Sequence, residues 1–356
     1  MNPYSAVNFH CLSPEAVSDL WTHTDKLASE DMCLQHINTF FPSTGEHNPL
    51  GRGDDCAILT TPKHMALSTD TFFENSHFRT SYFTPAEVGA KALASAVSDL
   101  AAAGAIPLGF SLDLMLPTKM SSETLRDLLQ GMAHVADQHT LLLTGGDIAK
   151  APYLGLCVTV WGKSVVPDGD FFLHRARASA NDVIFCIGSL GLAKAGLLLL
   201  EQGGRAALKD FPLPCQSHLW PRALTPEGEK LACLAFSAPE VHVGLMDVSD
   251  GLAQDIPRLL GMAQQRSPLG ADITLPAELI LPELTLAAKH LGCTPEELIL
   301  SGGEDYALLG TCPPTFWQKI QEALPMALPI GTITTTGKVQ YNGTPLTQHG
   351  FDHFRG

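Results

Sequence analysis

The sequence predicts a mixed α/β protein with two domains. Strand-like segments that end in small or acidic residues alternate with helical segments that open on capping residues. The chain has 356 residues, and single domains usually hold roughly 100–200 residues. We therefore expect an N-terminal extension at 1–26, an N-terminal domain at 27–163 and a C-terminal domain at 164–356.

Three apolar segments with strand character end in a small or acidic residue. They are Met65–Asp70, Thr140–Thr144 and Val243–Asp247. A fourth segment, Leu154–Trp161, precedes a stretch at 162–182 that contains proline, glycine and aspartate. Because this composition interrupts regular structure, we place the domain junction there.

Capping signatures predict where the main helices begin. Thr84 is followed by Pro85 and Glu87, which predicts a helix that runs as far as about Ala103. The same device recurs at Thr294. Both segments are therefore expected to be helical.

Three further segments carry weaker signals. Ser121 or Ser122 caps another predicted helix, and one more helix follows Asp250 and Gly251. The free backbone N–H groups of that last helix would suit a phosphate, but a plain N-cap role for Asp250 fits equally well. The stretch 203–214, with two glycines and two prolines, predicts a surface excursion.

The charge balance excludes one large class of partners. The chain has 22 Lys and Arg against 37 Asp and Glu, a formal charge of −15. Proteins that bind nucleic acid depend on clustered basic residues, so no nucleic-acid partner is expected. Hydrophobic residues make up 45% and charged residues 17% of the chain, which indicates an ordinary globular interior.

The compartment is predicted from what the sequence lacks. It has no run of about 20 uncharged apolar residues, so no membrane span is expected. The first residues have no basic start or long apolar centre, which argues against a secretory signal. The nine cysteines are odd in number and form no CxxC pair, which is typical of reduced thiols in the cytoplasm.

The common phosphate-binding signatures are incomplete. Gly162-Lys163-Ser164 resembles the end of a P-loop, but Cys157 stands where the first glycine belongs. Gly51-Arg52-Gly53 lacks the third glycine of a dinucleotide fingerprint, and no HRD or DFG motif indicates a protein kinase. Use of ATP would therefore need a different architecture.

Aspartates recur beside Gly, Ser or Thr at the ends of predicted elements. The clearest are Asp55, Asp70, Asp99, Asp147, Asp247 and Asp250. Each alone fits turn or cap chemistry, whereas several together favour a site for several Mg²⁺ ions, which prefer oxygen ligands. Asp99 lies near the end of a predicted helix, where the helix dipole disfavours a carboxylate unless a cation or donor compensates.

Taken in order, these motifs resemble the thiamine-monophosphate kinase family, in the superfamily of aminoimidazole ribonucleotide synthetase and selenophosphate synthetase. The matching pieces are Gly53-Asp54-Asp55-Cys56-Ala57, Ser68-Thr69-Asp70-Thr71, Ser76-His77-Phe78, Lys91-Ala92-Leu93-Ala94, Ser98-Asp99-Leu100-Ala101-Ala102, Gly145-Gly146-Asp147, Met246-Asp247-Val248-Ser249-Asp250-Gly251-Leu252, Ser301-Gly302-Gly303-Glu304-Asp305-Tyr306 and Gly350-Phe351-Asp352-His353-Phe354. They span about residues 30 to 354. The last two pieces distinguish this kinase from its relatives.

The resemblance implies a two-domain fold like that of aminoimidazole ribonucleotide synthetase and a homodimer whose N-terminal domains pair their sheets. It implies ATP-dependent phosphorylation of thiamine monophosphate to thiamine diphosphate, the last step in forming that cofactor. It implies Mg²⁺ ligands at Asp55, Ser68, Thr69, Asp70, Asp99, Asp147, Asp247 and Asp250. It also implies ATP contacts from Gly146, Asp147, Arg175 and Ser249, substrate contacts from His77, Glu304 and Phe351, and catalytic roles for Asp147 and Asp250.

The implied chemistry agrees with the residue types. A phosphate monoester has a second pKa near 6 and is mostly a dianion at neutral pH, so the acceptor needs no general base. Phosphoryl transfer then depends on positioning and charge neutralisation. A cationic aromatic substrate would suit Glu304 and Phe351, although Phe351 also fits a core anchor and Glu304 a helix-terminal charge.

Three other functions stay open at this point. One is a different ATP-using member of the superfamily, although Cys11 and Cys33 lack the glycine-rich surroundings that selenophosphate synthesis requires. Another is a metal-dependent phosphohydrolase, which would release phosphate without forming a diphosphate. The third is a catalytically silent module that binds thiamine phosphate or nucleotide without turnover.

Overall fold

The structure is a computed structural model that describes residues 9–49, 51–167, 169–175, 177–261 and 268–346. Two β-sheets with helices packed on them confirm the predicted mixed α/β class. One continuous cluster of buried residues reaches from the first sheet into the second. Of the predicted site residues, Phe351 lies outside the described ranges.

The first sheet and its helices are built from residues 65–163. Its strands are β1 (Met65–Phe73), β2 (Ile106–Pro117), β3 (Leu142–Gly145), β4 (Ile148–Ala151) and β5 (Gly155–Lys163). Their order is β1-β5-β2-β3, and β4 pairs with β2 farther along the strand. β5 runs antiparallel to both β1 and β2, whereas β3 and β4 run parallel to β2.

Helices α3 (Pro85–Ala102) and α4 (Ser122–Gln138) belong to this first half. The capping box predicted at Thr84 is present: Glu87 N–H donates to the Thr84 hydroxyl, and Thr84 N–H donates to the Glu87 carboxylate. α3 is buried on almost every side, which is typical of a helix that lies between two layers. Its C-terminal half therefore reaches the interior of the molecule.

The segment predicted as an N-terminal extension contains helix α1 (Pro14–Trp21), and α2 (Glu30–Phe40) follows it. Both helices begin at a serine whose side chain accepts a backbone N–H. The Trp21 indole donates to the Phe83 carbonyl at 2.9 Å, and the Leu20 carbonyl accepts from the Thr124 hydroxyl at 2.8 Å. The end of α1 is therefore tied to the N-termini of α3 and α4.

The second sheet is built from residues 183–345. Its strands are β6 (Val183–Ile187), β7 (Gly244–Asp247), β8 (Gly270–Ile273), β9 (Leu308–Cys312), β10 (Ala327–Thr334), β11 (Val339–Tyr341) and β12 (Thr344–Pro345). Their order is β12-β11-β8-β10-β6-β9-β7, and the pairings are antiparallel except that of β11 with β8.

Helices α5 (Leu192–Gly203) to α12 surround this sheet. The others are α6 (Ala207–Asp210), α7 (Pro212–Leu219), α8 (Thr225–Phe236), α9 (Leu252–Leu259), α10 (Pro282–Leu291), α11 (Pro295–Ser301) and α12 (Pro314–Ala323). The capping box predicted at Thr294 opens α11. None of the helices in the described ranges is both long and apolar enough to cross a membrane.

The stretch 203–214, predicted as a surface excursion, is mostly helical and only partly exposed. That stretch leads through α6 into α7, and α7 packs against α5 with Cys215 and Leu219 fully buried. Pro212 and Pro214 do not prevent the helix, because the first-turn N–H groups that proline lacks have no partner inside a helix. The folded stretch brings His218 into the interior.

Candidate active site

A cavity of about 450 Å³ lies between the first sheet and the helices of the second. β1 and the turn after it form one wall, and α3, α5 and α7 form others. The end of β7 and two loops, at 249–251 and 301–306, complete it. The predicted site residues that line it are Thr69, Asp70, His77, Asp99, Asp247, Ser249, Asp250 and Glu304.

Three carboxylates crowd one side of this cavity. Asp70 lies within β1, Asp99 lies on the last turns of α3, and Asp247 ends β7. Burial and the nearby Asp99 carboxylate raise the pKa of Asp70 to about 6, and the same two causes raise the pKa of Asp247 to about 7. Like charges held this close favour a bound cation.

Hydroxyl groups fix two of these carboxylates. Ser68 donates to Asp99, and Ser98 donates to Asp247 at 2.8 Å. Thr69 shares a hydrogen bond of 2.8 Å with Thr159 on β5. Ser68 is thus close to a proposed metal-binding carboxylate, whereas the Thr69 hydroxyl is engaged with the neighbouring strand.

The carboxylate of Asp255, on the first turn of α9, fixes the backbone of the loop that carries Asp250. Asp255 accepts the backbone N–H groups of Ser249, Asp250 and Gly251 at 3.0–3.1 Å. Arg258 donates to both Asp250 and Asp255. These three N–H groups are therefore occupied, and the N-cap of α9 is Gly251 and not Asp250.

Glycine is required where the 249–251 and 301–303 loops touch. Gly251 has φ +102°, and a Cβ on it would lie 2.8 Å from the Gly302 carbonyl oxygen. A Cβ on Gly303 would lie 2.5 Å from the Ser249 carbonyl oxygen. Because only glycine allows this approach, the two motifs bring Asp250 and Glu304 to one cavity.

Glu304 also lines this cavity, and its partners are different from those of the aspartates. Its Oε2 atom accepts from Lys91 Nζ at 3.0 Å and lies 3.3 Å from His218 Nδ1. Although burial raises the pKa of Glu304, Lys91 and His218 together hold it well below its usual value. Glu304 is therefore ionised.

His77 lies at the mouth of the cavity, in the turn after β1. Its Nδ1 atom accepts the Phe73 N–H at 3.0 Å, and its ring packs on Phe72 with the centroids 5.3 Å apart. The imidazole is thus held in place beside the cavity, as a substrate contact would require.

Asp55, Gly146 and Asp147 line a separate cavity of about 420 Å³, bounded by the 51–57 loop and the turn between β3 and β4. The loop is fixed by Arg52, whose guanidinium donates to the carbonyls of Pro42, Leu143 and Phe41 at 2.7–2.8 Å. The structure therefore places the predicted metal ligands in two groups.

Arg175 lies outside both groups. It is exposed, in the irregular segment between β5 and β6, and lines neither cavity. Its carbonyl contacts the His174 ring at 2.8 Å, and His174 bridges to Gly244 at the start of β7.

The donor set on the crowded side of the first cavity fits a hard cation. Across the described ranges, no three carboxylate, imidazole or thiolate groups are already arranged around one point. Mg²⁺ does not need such a set, because it commonly takes one or two carboxylates and completes its shell with water and substrate phosphates. Asp70, Asp99 and Asp247 supply the carboxylates, and burial with neighbouring negative charge raises the pKa values of Asp70 and Asp247, which a bound cation would offset.

Four residues of this region received no role in the sequence analysis: Lys91, His218, Asp255 and Arg258. Lys91 stands in one of the family motifs, and its charge inside an otherwise apolar stretch of α3 could have indicated a buried contact. The other three have no local signal, because their contacts are made only when distant elements pack.

Comparisons with known proteins agree with this geometry. Residues 53–164 match the family described as AIR synthase related protein, N-terminal domain. The thiamine-monophosphate kinase of Haemophilus influenzae is 32% identical over 86% of this chain and 92% of its own length.

Solved structures show the same likeness. The thiamine-monophosphate kinase of Stenotrophomonas maltophilia K279a superposes with a TM-score of 0.74 and 30% identity, over 91% of this chain and 100% of that one. AaThiL complexed with AMPPCP and TMP superposes with a TM-score of 0.68 and 29% identity, over 82% of this chain and 87% of that one. ThiL is the thiamine monophosphate kinase of Aquifex aeolicus.

Proposed function

The chain belongs to the thiamine-monophosphate kinase family, and we propose that it transfers the γ-phosphoryl group of ATP to thiamine monophosphate. The P–O bond to the β-phosphate breaks, a P–O bond to an acceptor phosphate oxygen forms, and ADP and thiamine diphosphate leave. This reaction would be the last step in thiamine diphosphate formation.

One observation carries the proposal: a single cavity presents a carboxylate cluster at Asp70, Asp99 and Asp247 and a separate ionised carboxylate at Glu304. The cluster suits the phosphates and their metals, whereas Glu304 suits a cationic ring. Thiamine monophosphate carries both kinds of group. A hydrolase of ATP alone would have no use for the second carboxylate, and the product assay described below separates the kinase from a hydrolase of thiamine monophosphate.

The acceptor is already anionic, so the protein needs no general base, and its residues act by binding and positioning. Asp70, Asp99, Asp247 and Asp250 would hold Mg²⁺, with Ser68 and Thr69 beside them. When bound there, Mg²⁺ would neutralise the negative charge of the phosphates. Lys194 on α5 and Arg79 after β1 line the same cavity and add positive charge.

We propose that Gly146, Asp147 and Ser249 contact ATP, with Asp55 and Asp147 as further metal ligands. The cavity of about 420 Å³ beside the Gly-Gly-Asp turn supports the first two. The proposed ATP contact from Arg175 has no such support, because Arg175 lines neither cavity. Catalytic roles for Asp147 and Asp250 and substrate contacts from His77, Glu304 and Phe351 complete the assignment.

A homodimer that pairs the first sheets is part of the proposal. β1 is an edge strand whose exposed face carries Leu67 and Phe73, 59% and 40% exposed. Exposed apolar edge strands readily pair with another chain, and a second copy offers a matching strand. Replacing Leu67 with Lys should shift the mass measured by light scattering towards the monomer, and an unchanged mass would count against this edge.

We also propose the boundaries of the two domains and the cellular location of the protein. Domains at 27–163 and 164–356 are supported by the two sheets, at 65–163 and 183–345. A cytoplasmic location is supported by nine cysteines that are all free thiols.

The test is the product formed from purified protein, MgATP and thiamine monophosphate, separated by chromatography, with thiamine as a parallel acceptor. We expect thiamine diphosphate from the monophosphate only, and its loss on addition of EDTA. ADP and free phosphate without diphosphate would instead indicate a phosphohydrolase. Binding of both substrates without turnover would indicate a silent module.

A further inference from the structure

A buried cation lies behind the carboxylate that we assign to the thiamine ring. Lys91 is on α3, and its side chain is 0% exposed, whereas that of Glu304 is 27% exposed. The ammonium group donates to Glu304 Oε2 at 3.0 Å and lies 5.3 Å from the centroid of the Phe83 ring. A charge is buried this deeply only where a partner compensates it, and Glu304 is the carboxylate in contact.

His218 is the second group at this junction. Its Nδ1 atom lies 3.3 Å from both Lys91 Nζ and Glu304 Oε2. Burial and the neighbouring Lys91 charge lower the pKa of His218 to about 4, so the ring is neutral at physiological pH. A neutral ring brings no positive charge to Glu304, which leaves Lys91 as the cation that holds this carboxylate.

The backbone of Glu304 is itself held in an uncommon conformation. Its backbone has φ +64°, a conformation that a residue with a side chain adopts only where its surroundings impose it. Lys91 and His218 both approach Oε2, so the other carboxylate oxygen remains for a ligand in the cavity.

We propose that Lys91 is a positioning residue, which holds Glu304 in the orientation that receives the cationic part of the acceptor substrate. This inference rests on the proposed function, because it assumes that Glu304 meets the thiamine ring. It adds a specificity-determining residue that lies out of the substrate's reach, on a different element from Glu304.

The test compares Lys91→Met, Glu304→Gln and the double variant, with initial rates at varied thiamine monophosphate and varied MgATP. We expect Lys91→Met to raise KM for thiamine monophosphate about tenfold, the size of one well-oriented charged contact, with KM for MgATP within about twofold. The double variant should have the same KM for thiamine monophosphate as Glu304→Gln alone, because Lys91 has no carboxylate left to position.

Arg205→Met is the matched control. Arg205 and Glu87 form another buried ion pair, at the first turn of α3, whereas Asp99 lies on the last turns of that helix. Its loss should lower Tm but leave the ratio of the two KM values unchanged. An equal rise of both KM values in Lys91→Met would show a merely structural lysine and overturn the inference.

The double variant keeps the inference testable if Lys91→Met does not fold. It has no unpaired buried charge and should fold, and a KM for thiamine monophosphate above that of Glu304→Gln would overturn the inference. A wild-type protein that forms no thiamine diphosphate would overturn the proposed function and this inference with it. An active wild type with either contrary result overturns this inference alone.

Discussion

Glu304 and Asp305 are adjacent in the chain, but the first carboxylate lines the cavity and the second caps a helix. Glu304 accepts from Lys91 at 3.0 Å and faces the cavity. Asp305 accepts the N–H groups of Gly191 and Ala193, at 2.6 and 3.0 Å, and so caps α5. One acidic pair therefore combines the proposed substrate contact with a structural group.

The first prediction separates these two roles. Asp305→Ala leaves two N–H groups at the start of α5 without an acceptor, so it should lower the free energy of unfolding by about 1–3 kcal/mol. KM for thiamine monophosphate should stay unchanged. Urea unfolding and initial rates check both statements, and a raised KM with unchanged stability would show that Asp305 contacts substrate instead.

The second prediction concerns the carboxylate that orders the 249–251 loop. Asp255→Ala removes the acceptor for three backbone N–H groups and one partner of Arg258. Asp250 should then lose its position, and kcat should fall at least about tenfold, the effect of a small misplacement of a catalytic group. Asp272, an exposed aspartate on β8, offers the control: Asp272→Ala should leave kcat unchanged.

The third prediction concerns the proposed metal ligands in the two cavities. Asp250→Asn and Asp55→Asn should each abolish turnover and change Tm little, because Asp250 is partly exposed and Asp55 is exposed. Rates at increasing Mg²⁺ measure the loss of metal affinity. If a protein with both substitutions kept wild-type activity, the metal assignment would be wrong.

The features that could be predicted are those that depend on residues close together in the sequence. The capping boxes at Thr84 and Thr294 and the strand that ends at Asp247 depend on near neighbours in sequence, and all are present. The separation of Asp55 from Asp70 into two cavities was not predictable, because it depends on where the 51–57 loop lies against β3.

His218 was missed for a related reason. Two glycines and two prolines precede it, and their composition indicates a loop, whereas burial of Cys215 and Leu219 against α5 favours a helix. Tertiary packing outweighed local preference here. A residue positioned in this way carries no signal of its own contacts with Lys91 and Glu304.

The fourth prediction tests the ion pair that ties α3 to the residues after α5. Arg205 contacts Glu87 through two nitrogen atoms, at 2.7 and 3.0 Å, and also donates to the Tyr82 carbonyl. Arg205→Met leaves a buried carboxylate unpaired and should lower the free energy of unfolding by about 3–5 kcal/mol. Adding Glu87→Gln should recover part of that loss in urea unfolding, whereas an additive loss would show that the two charges do not depend on each other.

The last prediction concerns pH. Burial, and then the Arg222 charge, lowers the pKa of His139 from its ordinary 6.5 to about 4, and its Nδ1 atom lies 2.9 Å from the Thr225 hydroxyl. Between these two pH values the unfolded chain binds the proton more tightly than the folded protein does. The contribution of the neutral ring to stability is therefore complete above the unfolded pKa and is lost as pH falls towards the folded one.

His139→Gln can keep a hydrogen bond to Thr225 but does not titrate. Tm of the wild type should therefore fall more steeply than Tm of the variant between about pH 7 and pH 5. Other buried groups, including His218 and Asp305, titrate alike in both proteins, so the difference between the two slopes isolates His139. Parallel slopes in calorimetry would mean that the ring ionises equally well in the folded protein, against the burial and the Arg222 repulsion seen here.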